Sequence, residues 1–355
     1  MDAKPRRIVL LTEGHSDPHS AKTACSLIRY RRDEIVGVLD STKAGQLVAD
    51  TLGVGDDLQF ARNLSECPRP NTLVIGIAPP GGKIPDSWRG IVLEAIGSGM
   101  NVVSGLHDFL GLDAEFAEAA SAAGVELTDV RRNAFGKIAR RPALRSECLR
   151  LLTVGHDCSV GKMVTAIEMT RELQSRGASA KFVATGQTGI MIEGDGLPLD
   201  CIVADFVSGA AEQLVVENQH HDYVIVEGQG SLVHPSYSAV TLGLLHGVMP
   251  QGLIFCYEIG RQTVTGIPDM AIPNSETIIS LNEQMASVML PCRVIGIAVN
   301  GRLVDEARIE QECAWASETF GVPACDVIRH GVQPLVDAAV QLRVELTGQF
   351  DEETP

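Results

Sequence analysis

Positive charge is what this chain has least of for its size. It carries 29 lysines and arginines against 45 acidic residues, a formal net charge of −16. That balance argues against a general affinity for nucleic acid or for an anionic membrane surface. Anionic ligands therefore need concentrated positive sites. Aromatic residues are scarce too, at 4%, which disfavours an aromatic-rich sandwich. No apolar run approaches the ~20 residues that span a bilayer, and no signal peptide precedes the first strand pattern, so the reading is a soluble cytoplasmic protein. The nine cysteines form no CxxC pair and no Cys/His ligand spacing. Structural zinc and a disulfide framework are both excluded on that ground, and the thiols read as reduced, mostly core residues. The turn after the first strand lacks GxGxxG, which argues against an NAD site although Asp40 ends the second strand.

What the chain has is glycine, 35 residues, and an apolar fraction of 45% in 355 residues. Short apolar runs alternate with amphipathic segments from Ile8 to Leu346 without a break. This predicts an α/β fold with two domains, each a parallel sheet covered by helices on both faces. We divide the chain into a Rossmann-like domain at 1–130, a basic interdomain junction at 131–150, a P-loop domain at 151–346 and an acidic tail at 347–355. An acidic α/β chain of this size is also expected to form a homo-oligomer.

One stretch organises the second domain. The apolar run Leu151-Leu152-Thr153-Val154 meets Gly155-His156-Asp157-Cys158-Ser159-Val160-Gly161-Lys162-Met163, and an amphipathic segment follows from Val164 to Arg176. This is the layout of a phosphate-binding loop: glycines let backbone N–H groups turn toward an anion, a helix N-terminus adds partial positive charge, and a lysine adds a full one. Met163 stands where a Ser or Thr hydroxyl ordinarily completes a magnesium shell, and a thioether is a poor ligand for a hard cation. Downstream, Tyr223 to Val226 delivers Glu227-Gly228-Gln229-Gly230-Ser231, so Glu227 is positioned either to face magnesium or to act as a general base. The strand at Ala180 to Ala184 runs into Thr185-Gly186-Gln187-Thr188-Gly189, a second group of small and hydrogen-bonding residues for the same site. His234 lies in the loop tied to the Glu227 turn, whereas His246 sits in an apolar helical run and reads as core. At the junction, Arg131, Arg132, Lys137, Arg140, Arg141, Arg145 and Arg150 make the densest basic cluster. It is either a solvated connection or a receiver of carboxylates or phosphates.

The loop Gly155 to Lys162 and the turn Val226-Glu227-Gly228 resemble the dethiobiotin synthetase group of P-loop enzymes. More closely, the chain is similar to a two-domain P-loop family long catalogued as a domain of unknown function. That resemblance rests on Gly76-Ile77-Ala78-Pro79-Pro80-Gly81-Gly82, Val103-Ser104-Gly105-Leu106-His107-Asp108-Phe109, Gly161-Lys162-Met163, Ala184 to Gly189 and Glu227 to Leu232. The member of that family with an assigned activity is a D-glutamate N-acetyltransferase. The resemblance thus implies a small-molecule enzyme using acetyl-CoA as cosubstrate and no metal, with Gly155 to Met163 holding the cofactor phosphates. Glu227 or His234 is then the candidate base. Arg131 and Arg132, with Gln187, Thr188, Gln229 and Ser231, are the substrate-binding candidates, and the amides of Gly228 to Ser231 would meet the oxyanion. The dethiobiotin synthetase likeness leaves two alternatives, a kinase or ligase using ATP and Mg with Glu227 and Asp157 around the metal, and a non-catalytic nucleotide sensor.

Overall fold

A computed structural model describes residues 5–348, so the acidic tail read at 347–355 lies outside the described residues from 349 on. The chain divides into two units. One runs to Arg132 and includes Ile190–Gly194, and the other holds 133–189 and the residues from Asp195 onward.

The first unit comprises β1 Ile8–Leu11, α1 Lys22–Tyr30, β2 Ile35–Leu39, α2 Val48–Leu52, β3 Phe60–Ala61, β4 Thr72–Ile75, α3 Arg89–Gly97, β5 Asn101–Ser104, α4 Ala114–Ala123 and β6 Leu127–Asp129. All four residues of β1 and of β4 are buried, as expected of central strands covered on both faces. The sheet is parallel throughout, with order β3-β2-β1-β4-β5-β6. The order reverses between β1 and β4, the doubly wound Rossmann arrangement. Val9, Leu11, Ile75, Trp88, Val92 and Phe116 are among the side chains of its core.

The second unit comprises β7 Leu149–Gly155, α5 Lys162–Ser175, β8 Ala180–Val183, α6 Gln187–Glu193 (its first turn), α7 Ala204–Asn218, β9 Tyr223–Val226, α8 Ser238–Val248, β10 Gly252–Glu258, β11 Thr263–Val264, β12 Ile267–Ala271, α9 Ser275–Ser287, β13 Arg293–Asn300, α10 Glu306–Phe320, β14 Ala324–Cys325 and α11 Gln333–Thr347. Its main sheet is also parallel, ordered β14-β13-β10-β7-β9-β8. Strand β7 is therefore central, and every one of its residues is buried. Leu152, Val154, Val224, Val226, Leu253, Phe255 and Ile297 join α7 and α8 in the core. All nine cysteines are free thiols. Among the described residues no helix is long and apolar enough to cross a membrane.

Three features depart from the sequence expectation. Gln187 and Thr188, read as strand-end loop, form the first turn of α6. Strands β11 and β12 form an antiparallel hairpin that the apolar pattern does not announce, because β12 is Ile-Pro-Asp-Met-Ala with mostly exposed residues. The basic junction is no loose connection beyond Arg132. Glu212 of α7 accepts from the backbone N–H groups of Arg140, at 2.9 Å, and Arg141, at 2.7 Å. Gly209 makes room for this strap, since a Cβ there would lie 2.0 Å from the carbonyl oxygen of Lys137. The guanidinium of Arg150 is buried and donates to the carbonyls of Met249 and Cys148.

Where β9 ends, Gly228 passes so close to β7 that a Cβ would lie 1.6 Å from the carbonyl oxygen of Thr153. Both partners are backbone, so neither can swing away. Gly228→Ala is expected to destabilise the second unit by about 4 kcal/mol or more, read as a fall in the urea midpoint; an unchanged midpoint would contradict this packing.

Candidate active site

The glycine-bracketed loop lies at the carboxyl end of the central strand, where open α/β sheets present ligands. Gly155 must be glycine because a Cβ would sit 2.6 Å from the carbonyl oxygen of Cys256 on β10. Gly161 caps α5 at φ 107°, a left-handed conformation that L side chains avoid. Lys162 opens the helix and is 6% exposed. Its Nζ donates to the carbonyl oxygen of Asp157 at 2.7 Å, and among the described residues no carboxylate lies within ion-pair distance of it. Burial holds its pKa below the usual lysine value. A desolvated ammonium whose hydrogen bond goes to a neutral carbonyl is a strong anion receiver. Met163 follows it, half-buried, and brings no hydroxyl.

Asp157 is fully buried and is the hub that shapes the loop. Its Oδ2 accepts from Thr265 N at 2.8 Å, Thr265 Oγ1 at 2.6 Å and Arg261 Nη1 at 3.2 Å, while Oδ1 accepts from Cys158 N at 2.7 Å. Burial alone would raise its pKa, but the bonds from Thr265 and Cys158 and the Arg261 charge outweigh it and hold the carboxyl low. Arg261 also donates to the carbonyl of Cys158 at 2.7 Å and, through Nε and Nη2, to Oε1 of buried Glu258. The β11–β12 hairpin is thereby fastened to the loop. Of the loop residues singled out in the sequence, Asp157 thus serves the loop's shape, with both carboxylate oxygens occupied. Thr265→Val removes one charge-assisted bond from a buried carboxylate and is expected to cost about 1.5–3 kcal/mol, measured by urea unfolding; no loss would mean that Asp157 is held without it.

His156 is structural as well. Its Nε2 accepts from the backbone N–H of Glu258 at 3.2 Å, and burial, reinforced by the Arg261 and Lys162 charges, pushes its pKa down to about 3. The ring stays neutral. His234 is 2% exposed; its Nδ1 accepts from Ser236 N at 3.2 Å, which puts the ring proton on Nε2, facing the carbonyl oxygen of Thr265 at 3.1 Å. With that tautomer His234 is a donor, and neither nitrogen is available as a base. Ligand atoms of Asp157, Cys158 and His234 lie within 4.8 Å of one another. Both His234 nitrogens are held by these bonds, while Asp157 Oδ1 accepts one bond, from Cys158 N.

Glu227 is different. It is 5% exposed, and its Oε2 accepts from the backbone N–H groups of Thr185, at 3.0 Å, and Gly186, at 3.1 Å. Burial outweighs these bonds and pushes its pKa up to about 7. The neighbours are built around it: a Cβ on Gly189 would lie 2.4 Å from Oε2, and one on Gly186 would lie 2.5 Å from Gln229 Nε2. Gln229 Nε2 donates to Thr185 Oγ1, which itself donates to the Glu227 carbonyl at 2.7 Å. Glu227 also adjoins the loop, since a Cβ on Gly228 would be 3.1 Å from Cδ of Lys162. Gly228 N is committed to Thr153 Oγ1 at 2.9 Å, so of the amides of Gly228 to Ser231 expected to meet an oxyanion this one is taken.

The structure brings together in one unit the loop, Glu227, Gln229, Ser231 and His234, with Gln187 and Thr188 in the helix turn that follows Gly186. Gln187 Nε2 donates to Thr188 Oγ1 at 2.9 Å. Ser231 is fully buried, and its carbonyl accepts from His234 N. Arg131 and Arg132 belong to the other unit, in the turn after β6. In that unit Asp40 is fully buried and occupied by Ser16 Oγ at 2.5 Å and by Thr42 N and Oγ1. A ribose has no claim on it, in keeping with the missing GxGxxG. Arg261, Thr265 and Glu258 were not singled out in the sequence, whereas Thr185 was read as part of the strand-end group Thr185 to Gly189. Glu258 offered a signal, an acidic strand end like Glu227, with Arg261 three residues on.

Comparison with known proteins matches both units. The P-loop domain of unknown function DUF1611 matches residues 135–336, and its Rossmann-like partner domain matches 41–133. The chain is 38% identical over 326 residues to a D-glutamate N-acetyltransferase of Tritonibacter scottomollicae, covering 91% of this chain and 95% of that one. It is 37% identical over 337 residues to a D-glutamate N-acetyltransferase of Pseudoalteromonas sp, covering 95% and 99%. A crystal structure of a DUF1611 family protein from Anabaena variabilis superposes with a TM-score of 0.87 at 35% identity, over 95% of this chain and 99% of that one. Two parallel-sheet units, a loop built around a buried lysine and these relatives across nearly the whole length agree: the chain belongs to the DUF1611 family, with a Rossmann-like N-terminal and a P-loop C-terminal domain.

Proposed function

We propose that this protein is an N-acetyltransferase that moves the acetyl group of acetyl-CoA to the amine of D-glutamate, giving N-acetyl-D-glutamate. The reaction is taken from the names of the two relatives, and the observation that carries it to this site is Lys162: a buried ammonium in the glycine-bracketed loop, with no carboxylate within ion-pair distance among the described residues and no hydroxyl after it. Such a loop suits a cofactor phosphate that needs no phosphoryl chemistry. The thioester is already reactive, so the chain has only to bind, orient and move a proton.

The proton is the task of Glu227. An amine attacks only after its ammonium is deprotonated, and a carboxylate with a pKa of about 7 accepts that proton at neutral pH far better than an ordinary glutamate. The amides of Gln229 to Ser231 meet the negative charge that develops on the carbonyl oxygen. Gln187, Thr188 and Gln229 are the candidates for contacting the acceptor. ATP and Mg chemistry is less well supported, because Met163 supplies no oxygen and the Asp157 carboxylate is occupied by Thr265, Cys158 and Arg261.

The deciding experiment incubates the protein with acetyl-CoA and either glutamate enantiomer and follows free-thiol release, with ATP consumption run in parallel. Thiol release with the D enantiomer alone supports the proposal. Nucleotide turnover without thiol release overturns it.

A further inference from the structure

Coenzyme A carries two separate anionic points, a pyrophosphate and a phosphate on the ribose 3′ position. One loop with one lysine serves one of them, so the other needs its own cation beside the loop. Most cations of the second unit are engaged elsewhere. Arg261 is filled by Glu258, Asp157, Thr265 and the Cys158 carbonyl, Arg150 by backbone carbonyls, and Arg141 donates through Nη2 to the carbonyl of Met289.

Arg302 is arranged otherwise. It follows Asn300, the last residue of β13, and its backbone N–H donates to Asn300 Oδ1 at 3.2 Å. A Cβ on Gly161 would lie 3.8 Å from Asn300 Nδ2, so this turn flanks the phosphate loop. The Arg302 Nε is 2.6 Å from Oε2 of Glu258, a carboxylate 5% exposed whose own backbone N–H is bonded to His156. Nη1 and Nη2 have no hydrogen-bond partner among the described residues, and the side chain is 37% exposed. A buried carboxylate oxygen, itself without a hydrogen-bond partner among the described residues, thus lies beside the inner nitrogen as a charge contact and leaves the outer pair, the arrangement that receives two phosphate oxygens at once. Arg329 stands beside it, with Nη2 at 3.5 Å from the Gly301 carbonyl and Nη1 at 3.4 Å from Glu306. Among the described residues, the ion pairs of Arg261 and Arg302 around the loop go to two carboxylates, Asp157 and Glu258, and Lys162 adds a third positive charge. In a chain of net charge −16 that local surplus is a binding feature.

We infer that Arg302, with Arg329 in support, is the subsite for the ribose 3′-phosphate of coenzyme A; this rests on the acetyl-CoA reading above. The subsite selects coenzyme A over ATP, which has no phosphate at that position.

Calorimetric titration of the full-length protein with coenzyme A and with 3′-dephospho-coenzyme A tests it. The wild type is expected to bind coenzyme A roughly tenfold to a hundredfold tighter than the dephospho form. Arg302→Gln should weaken coenzyme A to the dephospho level and leave dephospho-coenzyme A binding where it was, and Arg329→Gln should narrow the ratio in part. Equal wild-type affinities, or an Arg302→Gln protein that keeps the ratio, would overturn the inference while leaving the acetyl-CoA reading intact. A wild type that binds neither ligand removes both. The wild-type ratio needs no variant, so a poorly folded substitution cannot imitate the result.

Discussion

Glu227→Gln is expected to slow acetyl transfer by about 10²–10⁴-fold and to make the protein more stable above pH 7. Both effects have one cause. Burial pushes the Glu227 carboxyl from 4.5 up to about 7, so the folded protein holds a proton that the unfolded chain releases. As pH rises from about 4.5 to about 7, that preference for the protonated folded form is lost. Above pH 7 the folded state carries a buried carboxylate at a cost of about 3 kcal/mol. Glutamine keeps the shape, can still accept from Thr185 N and Gly186 N, and never ionises. The urea midpoint of the variant should therefore exceed that of the wild type at pH 8 and match it at pH 4. Activity runs the opposite way. Only the carboxylate accepts a proton, so wild-type kcat/KM should rise about tenfold per pH unit below 7 and level above it, and the variant should lack that limb. A wild-type profile flat from pH 5.5 to 8, or a variant with full turnover, would remove Glu227 from the base role.

Stability given up at Glu227 also bears on what could be read from the sequence. The βα alternation was legible because each central strand is a continuous apolar run, as in Leu149–Gly155, and each turn is marked by glycine. The loop and Glu227 were legible because their chemistry is local in sequence. The β11–β12 hairpin was not, since Ile267–Ala271 is mostly exposed and contains Pro268, so no two-residue periodicity survives. Its importance is not local either: Thr265 meets Asp157 across 108 positions of sequence, a pairing set only by the neighbouring placement of β7 and β10. For the same reason Asp157 reads as a ligand contact in sequence and proves to be the hub of a buried network. His234 likewise reads as a base, and a backbone N–H from Ser236, two residues on, makes it a donor. Composition located the basic junction, yet Glu212 holds it through the backbone of Arg140 and Arg141 and not through their side chains.

Lys162→Met should abolish productive cofactor binding and stabilise the ligand-free protein at the same time. The ammonium is 6% exposed with one carbonyl as partner, and burial keeps its pKa low. Below its folded pKa the full desolvation cost is present, and that cost fades as pH rises toward the ordinary lysine value. Methionine fills similar volume beside Gly228 without the charge, so the variant is expected to gain roughly 1–4 kcal/mol in the absence of ligand. The binding side reverses this. An anion on the loop compensates the buried cation, and its removal should weaken coenzyme A by about a hundredfold or more. Thermal unfolding with and without coenzyme A reads both halves in one experiment, because a ligand that binds only the folded state raises the midpoint by mass action. The wild type should start lower and rise with coenzyme A, and Lys162→Met should start higher and stay there. If the variant is destabilised, Lys162 is a structural cation held by the Asp157 carbonyl. If it rises with coenzyme A as the wild type does, the cofactor phosphates do not lie on this loop.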